Sequence, residues 1–220
     1  MTLTGVLDLS TRREQVLTRG LQVALLVLAA GGVATGRLGV AANAAPALGV
    51  TLLPAALRRE YGYVMDARLA LWITVAVCLH SLGALGPYRW YPWYDEITHT
   101  VSGALVAGVG YATLRAFEEH SAEVTVPESF RGFFVVIFVL AFGVIWEVLE
   151  FTVVVLAQTL ETDAPVTVFG IKDIVTDMVA NMAGGLFIAL WGTRYFQGLA
   201  DFLRTRLDAS HNGDSSGPPE

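Results

Sequence analysis

Three short stretches of this chain carry ionisable side chains at helical spacing inside apolar sequence. In WYDEITHT, Asp95 and His99 stand at i, i+4, with Glu96 three residues before the same histidine. WEVLEF places Glu147 and Glu150 one turn apart, and KDIVTDMVANMAGG sets Asp173, Asp177 and Asn181 in a single i, i+4, i+8 stripe. His80 lies in a further apolar run. Residues three and four apart share a helix face, so each stretch presents a polar stripe of carboxylates, joined by an imidazole in the first and an amide in the third. Such a set suits a divalent ion such as Mg, Mn, Fe or Zn, or general acid–base work by a carboxyl with a shifted pKa.

What surrounds them is membrane-like. Of 220 residues, 54% are hydrophobic and 15% charged, against about 25% charged in an ordinary soluble domain. The formal charge of −6 removes the basic footprint of a nucleic-acid binder. A helix crossing hydrocarbon needs about 20 apolar residues, and six stretches qualify, at approximately 19–37, 39–57, 67–86, 95–116, 131–157 and 173–193. The second carries Pro46 and Pro54. A signal peptide ending near Ala42-Asn43-Ala44 is the competing reading of the N-terminus, but the first run is long enough to span and more membrane sequence follows.

Basic residues divide unevenly between the two sides of a six-span chain. One side would hold 11 of them: Arg12, Arg13, Arg19, Arg58, Arg59, Arg68, Arg115, Arg131, Arg194, Arg204 and Arg206; the other would hold only Arg37, Arg89 and Lys172. The richer side is cytoplasmic by the positive-inside rule. The expected fold is therefore an all-α polytopic helix bundle of the cell membrane, with six transmembrane helices and both termini cytoplasmic. Residues 1–18 form a cytoplasmic segment, 19–193 the membrane domain, and 194–220 a cytoplasmic, partly disordered tail. Tyr88, Trp90, Tyr91, Trp93 and Tyr94 make an outer aromatic belt. The acidic stretch 118–129 reads as an inner loop, with His120 and His211 solvated. Cys78 reads as a packed thiol.

This orientation gives the scattered polar residues a common depth. The fourth and sixth helices enter from outside, so Asp95, His99, Asp173 and Asp177 fall in their first turns; the third and fifth leave outward, so His80, Glu147 and Glu150 fall in their last. At 1.5 Å per residue, His99 and Asp177 lie about 6 Å and Asn181 about 12 Å below their helix starts, and the two glutamates lie on the order of 10–15 Å from a helix end near 157. All reach one leaflet, which predicts an outward-facing pocket. Six acids, Asp95, Glu96, Glu147, Glu150, Asp173 and Asp177, face at most His80, His99, Arg89 and Lys172. Some are then protonated, paired with an imidazolium, or bound to a divalent metal. Glu96 and Asp173 also suit simple helix N-terminal roles, and His80 a packed interior histidine. The deeper residues could equally be a hydrogen-bond network that glues helices. Ala104, Gly108 and Ala112, and Ala180 and Gly184, read as close-packing faces.

The order D-x-x-x-H at one helix start, a Glu-bearing apolar helix, then D-x-x-x-D-x-x-x-N-x-x-G resembles the VanZ-like membrane proteins, and more closely the uncharacterised YjdF-type bacterial inner-membrane proteins, over about residues 90–192. The matching positions are Asp95, His99, Glu147, Glu150, Asp177, Asn181 and Gly184. The resemblance implies an envelope setting, and VanZ-like proteins are associated with tolerance to glycopeptide antibiotics. This chain departs from the pattern at Glu96, where a Lys often follows the Asp, and lacks an Arg common in the fifth loop. Four functions follow as expectations. One is a metal-dependent enzyme on a lipid headgroup or envelope precursor, with Glu147 or Glu150 as general base and His99 assisting, and Asp95, His99 and Asp177 holding the metal. Another is a cation- or proton-linked binding or permeation protein. The others are a bis-histidine haem protein through His80 and His99, and a structural membrane component. Membrane lipids are the expected partners, with a small-molecule or headgroup ligand.

Overall fold

The computed structural model describes residues 11–214, apart from 92, 122, 167 and 169. Every element among the described residues is helical: α1 Thr11–Ala34, α2 Leu38–Thr51, α3 Leu53–Tyr61, α4 Ala67–Ala84, α5 Pro87–Trp90, α6 Tyr94–His120, α7 Glu128–Thr159 and α8 Ile171–Phe187, then a π turn Ile188–Gly192, a 3-10 turn Thr193–Phe196 and α9 Gln197–Asp214. Among the described residues, five helical stretches are long and apolar enough to cross a membrane: α1, α2 with α3, α4, α7, and α8 with its π turn. α6 is long enough, with 27 residues, but Thr98, His99, Ser102 and its many small residues dilute its hydropathy.

The distribution of polarity is inverted relative to a soluble protein. Along α7, Ile145, Val148 and Phe151 are more than half exposed, while Glu147 on the same helix is 7% exposed. Apolar side chains outside and polar ones inside are what hydrocarbon requires of a helix bundle.

The chain forms two compact units, residues 1–98 with 149–168, and residues 99–148 with 169–220. In the first, α1, α2 and α4 pack on one another. Leu25, Ala44, Ala76 and Cys78 fill their seam, and a Cβ at Gly32 would lie 2.7 Å from the Ala41 amide nitrogen. Cys78 is buried, as its apolar flanks implied. The expected second span is carried by α2 and α3 together, Leu38–Tyr61, with a single turn residue, Leu52, between them; Pro54 stands in the first turn of α3, where its missing N–H removes no intrahelical bond. Pro46 is kept inside α2. α1 begins eight residues before the expected span, and its Glu14, 4% exposed, meets Arg68 Nε at 3.2 Å.

In the second unit, Ala104, Gly108, Ala112 and Ala116 bury one stripe of α6. A Cβ at Gly108 would fall 1.9 Å from the Phe196 ring, so the π and 3-10 turns after α8 deliver that phenyl into a notch only glycine leaves. The expected loop at 118–129 is shortened, since α6 ends at His120 and α7 begins at Glu128, and His120 has a partner. α6 runs on to His120, and Glu118 in its last turn accepts hydrogen bonds from Arg131 at 2.6 Å and Arg115 at 2.8 Å, while Arg115 also pairs with Glu119. His120 is not merely solvated, since its Nδ1 lies 2.6 Å from Asp208 Oδ1. α9 also carries regular helix through Asp214, into the stretch read as tail; the His211 side chain lies outside the described residues.

The Arg131 hydrogen bond, with Arg115 beside it, holds the Glu118 carboxyl below the usual carboxylate range, against the opposing effect of burial. A depressed folded-state pKa gives stabilisation that is complete above the unfolded value of about 4.3 and is lost as pH falls through the folded one. Glu118→Gln should therefore flatten the loss of thermal stability below about pH 4.3, read as unfolding temperature against pH in detergent; an unchanged acid limb would remove Glu118 from the account.

Candidate functional site

Helix register in the second unit is set by glycines. A Cβ at Gly184 would lie 2.4 Å from the Thr100 carbonyl oxygen and 2.7 Å from the Ala104 nitrogen, and one at Gly103 would lie 2.9 Å from Asn181 Cα. α6 and α8 thus touch backbone to backbone, with 100–104 against 181–184. On the other side, a Cβ at Gly185 would meet Val139 at 2.7 Å, and one at Gly143 would meet Met178 at 2.7 Å and Asn181 Nδ2 at 3.0 Å. The pairs 139 with 185 and 143 with 181 run in opposite directions, so α7 is antiparallel to α8, and the next turn of that register brings Glu147 to the level of Asp177.

That packing gathers a polar group in an apolar shell. His99 is 3% exposed, Asp177 2% and Asn181 5%. His99 Nε2 stands 3.8 Å from Asp177 Oδ1, and Asn181 Nδ2 stands 3.4 Å from His99 Nδ1. The first separation exceeds a hydrogen bond of about 2.7–3.2 Å and is close to the roughly 3–3.5 Å between two ligands of one cation with metal–ligand bonds near 2.1 Å. Asp95 sits one turn before His99 on α6, and the two side chains offer ligand atoms within 4.8 Å of each other. Asp173, half-buried in the first turn of α8, stays at the helix start as its position implied.

His80 and Glu150 belong to the first unit, where a second polar group forms around Tyr88. The Tyr88 hydroxyl lies 2.8 Å from His80 Nδ1 and 3.5 Å from Thr98 Oγ1, and Thr98 Oγ1 donates to the Asp95 carbonyl at 2.8 Å. Burial, then the Asp95 and Glu150 carboxylates, push the Tyr88 phenol up from its ordinary value; it stays a neutral hydroxyl, able to donate to the imidazole. Tyr88 was visible in the sequence only as one aromatic among five. Its approach to α4 requires Gly83, where a Cβ would lie 2.4 Å from the Tyr88 ring, and no spacing rule announces that contact.

The chain matches the model of the family described as "Predicted membrane protein (DUF2238)" over residues 16–198, and it belongs to that family. No curated protein and no solved structure matches it.

Two glycines make opposite predictions. Gly184→Ala forces the α6–α8 backbones apart and should cost about 1–3 kcal/mol. Gly31→Ala, with nothing within 4 Å, should be neutral or stabilising by up to about 1 kcal/mol. Thermal unfolding of the two variants in detergent checks both; equal midpoints would contradict the close α6–α8 approach.

Proposed function

We propose that this chain is a six-span membrane protein that holds a divalent cation between His99 and Asp177, with Asp95, a turn from His99, as a third ligand, and acts with it on a lipid headgroup or envelope precursor. The observation that carries the reading is the buried His99–Asp177 couple, too far apart for a hydrogen bond and at a distance a shared cation would close. One imidazole with carboxylate oxygens is a donor set for Mg, Mn, Fe or Zn. A cation on Nε2 leaves the ring proton on Nδ1, and Asn181 then turns its amide so that Oδ1 accepts that proton and fixes the ring. The cation would supply Lewis acidity and a water of lowered pKa. Glu147, level with Asp177 and buried, is placed to act as the general base, with Glu150 one turn beyond it.

The sixth crossing is α6. Its length of about 40 Å at 1.5 Å per residue supports this, as does the burial of its polar face. The 11-to-3 division of basic residues supports cytoplasmic termini and a site opening outward. The resemblance to VanZ-like and YjdF-type proteins supports an envelope setting, and antibiotic tolerance is not part of the proposal.

Protein purified in detergent, stripped with a chelator, reloaded with Mn or Zn and desalted should retain about one ion per chain, a 1:1 load expected of a single closed site. His99→Ala and Asp177→Asn should lose it, while Glu147→Gln keeps it. Bound metal also raises the unfolding temperature by mass action. Protein that retains no metal and whose unfolding is indifferent to chelator would leave the cluster a helix-gluing network and end the proposal.

A further inference from the structure

The first unit contains a cavity of about 400 Å³ that shares no residue with the His99 cluster. Its wall is built rather than incidental. Asn43 Nδ2 donates to the Pro165 carbonyl at 2.8 Å, and a Cβ at Gly39 would lie 3.0 Å from both the Asp163 and Ala164 carbonyl oxygens. These contacts fix the segment after α7 onto α2. Leu28, Leu85 and Val154 line the apolar part.

The polar lining is cationic. Arg37 and Arg89 both line the cavity against one carboxylate, Asp163, and neither guanidinium pairs with a carboxylate among the described residues. Ser81 lines it as well, 4% exposed, and its Oγ meets no hydrogen-bond partner among the described residues. Membrane proteins seldom leave a buried hydroxyl unsatisfied. By the charge division, Arg37 and Arg89 are two of only three basic residues on their side. Exposed Trp90 and Tyr91 follow Arg89 directly, and such amphipathic rings settle at headgroup level.

We propose that this cavity binds a phosphate group, with the guanidinium forks of Arg37 and Arg89 on its oxygens and the Ser81 hydroxyl as a further hydrogen-bond partner. Guanidinium forks match phosphate geometry bidentately, and the apolar wall accommodates a glycerol or acyl stem. The phosphate is that of a lipid headgroup or free phosphate.

The test is calorimetric titration of the full-length protein in neutral detergent with dihexanoyl-phosphatidylglycerol, with the uncharged dihexanoylglycerol, and with inorganic phosphate. The phospholipid should bind, the uncharged lipid on the order of tenfold more weakly or not at all, and Arg37→Gln with Arg89→Gln should weaken the phospholipid by a similar factor. Both arginines are exposed, so unliganded unfolding should be unchanged in that variant, and Ser81→Ala should weaken binding further. Binding of inorganic phosphate with phospholipid-like affinity, abolished by the same pair, supports the site and assigns the free anion. Phospholipid and phosphate both failing to bind, or the double variant binding as the native chain does, overturns the proposal. None of these variants touches His99, Asp95 or Asp177, so failure here is distinct from failure of the cation site.

Discussion

A buried carboxylate beside a buried imidazole is the constraint on which the second unit turns. Asp177 and His99, at 2% and 3% exposure, are shielded from bulk water, and an isolated charge there is costly. The bundle meets that constraint by bringing backbones together. Glycines at 103, 143, 184 and 185 let α6, α7 and α8 approach until their polar side chains share one dry seam, and a larger residue at any of them would collide with its neighbour. In lipid, where apolar surface gives no net drive for helices to associate, close packing of small residues supplies the attraction. The polar seam and the glycine faces are therefore two halves of one device.

Much of this was legible in the sequence, because helical spacing survives translation into structure. The i, i+4 relation of Asp95 to His99 and of Asp177 to Asn181 needs only a helix, and a helix is what a long apolar run with small residues forms. The depth argument, from the alternation of charged loops, placed His99, Glu147, Asp177 and Asn181 in one leaflet, and the antiparallel register of α7 against α8 sets Glu147 beside Asp177, one turn from Asn181. What the sequence hid were contacts between elements distant in the chain. Nothing in Glu14 says that it will be buried against Arg68, and nothing in Tyr88 says that it will meet His80. The inner loop is shorter than its composition implies, for a physical reason: acidic composition suggests solvation, but Arg115 and Arg131 stand close enough to fold Glu118 into an ion-paired helix end. The turn between α2 and α3 followed from Pro54, which favours a first-turn position over the middle of a helix.

The first unit solves a different problem. Its polar group around Tyr88 is neutral at its centre, a phenol facing an imidazole, with Asp95 and Glu150 near enough to oppose ionisation of the phenol. α6 and α7 each contribute to both units, and one turn on each helix separates the residues so assigned: Asp95 from His99, and Glu150 from Glu147.

The most direct test of a cation bound through this seam is spectroscopic. Pulsed electron paramagnetic resonance of the Mn-loaded protein in detergent should show the nuclear modulation of one directly coordinated imidazole nitrogen, and that signal should vanish when His99 becomes Ala. A manganese spectrum with no nitrogen coupling, unchanged by the substitution, would mean that the buried couple does not hold a metal.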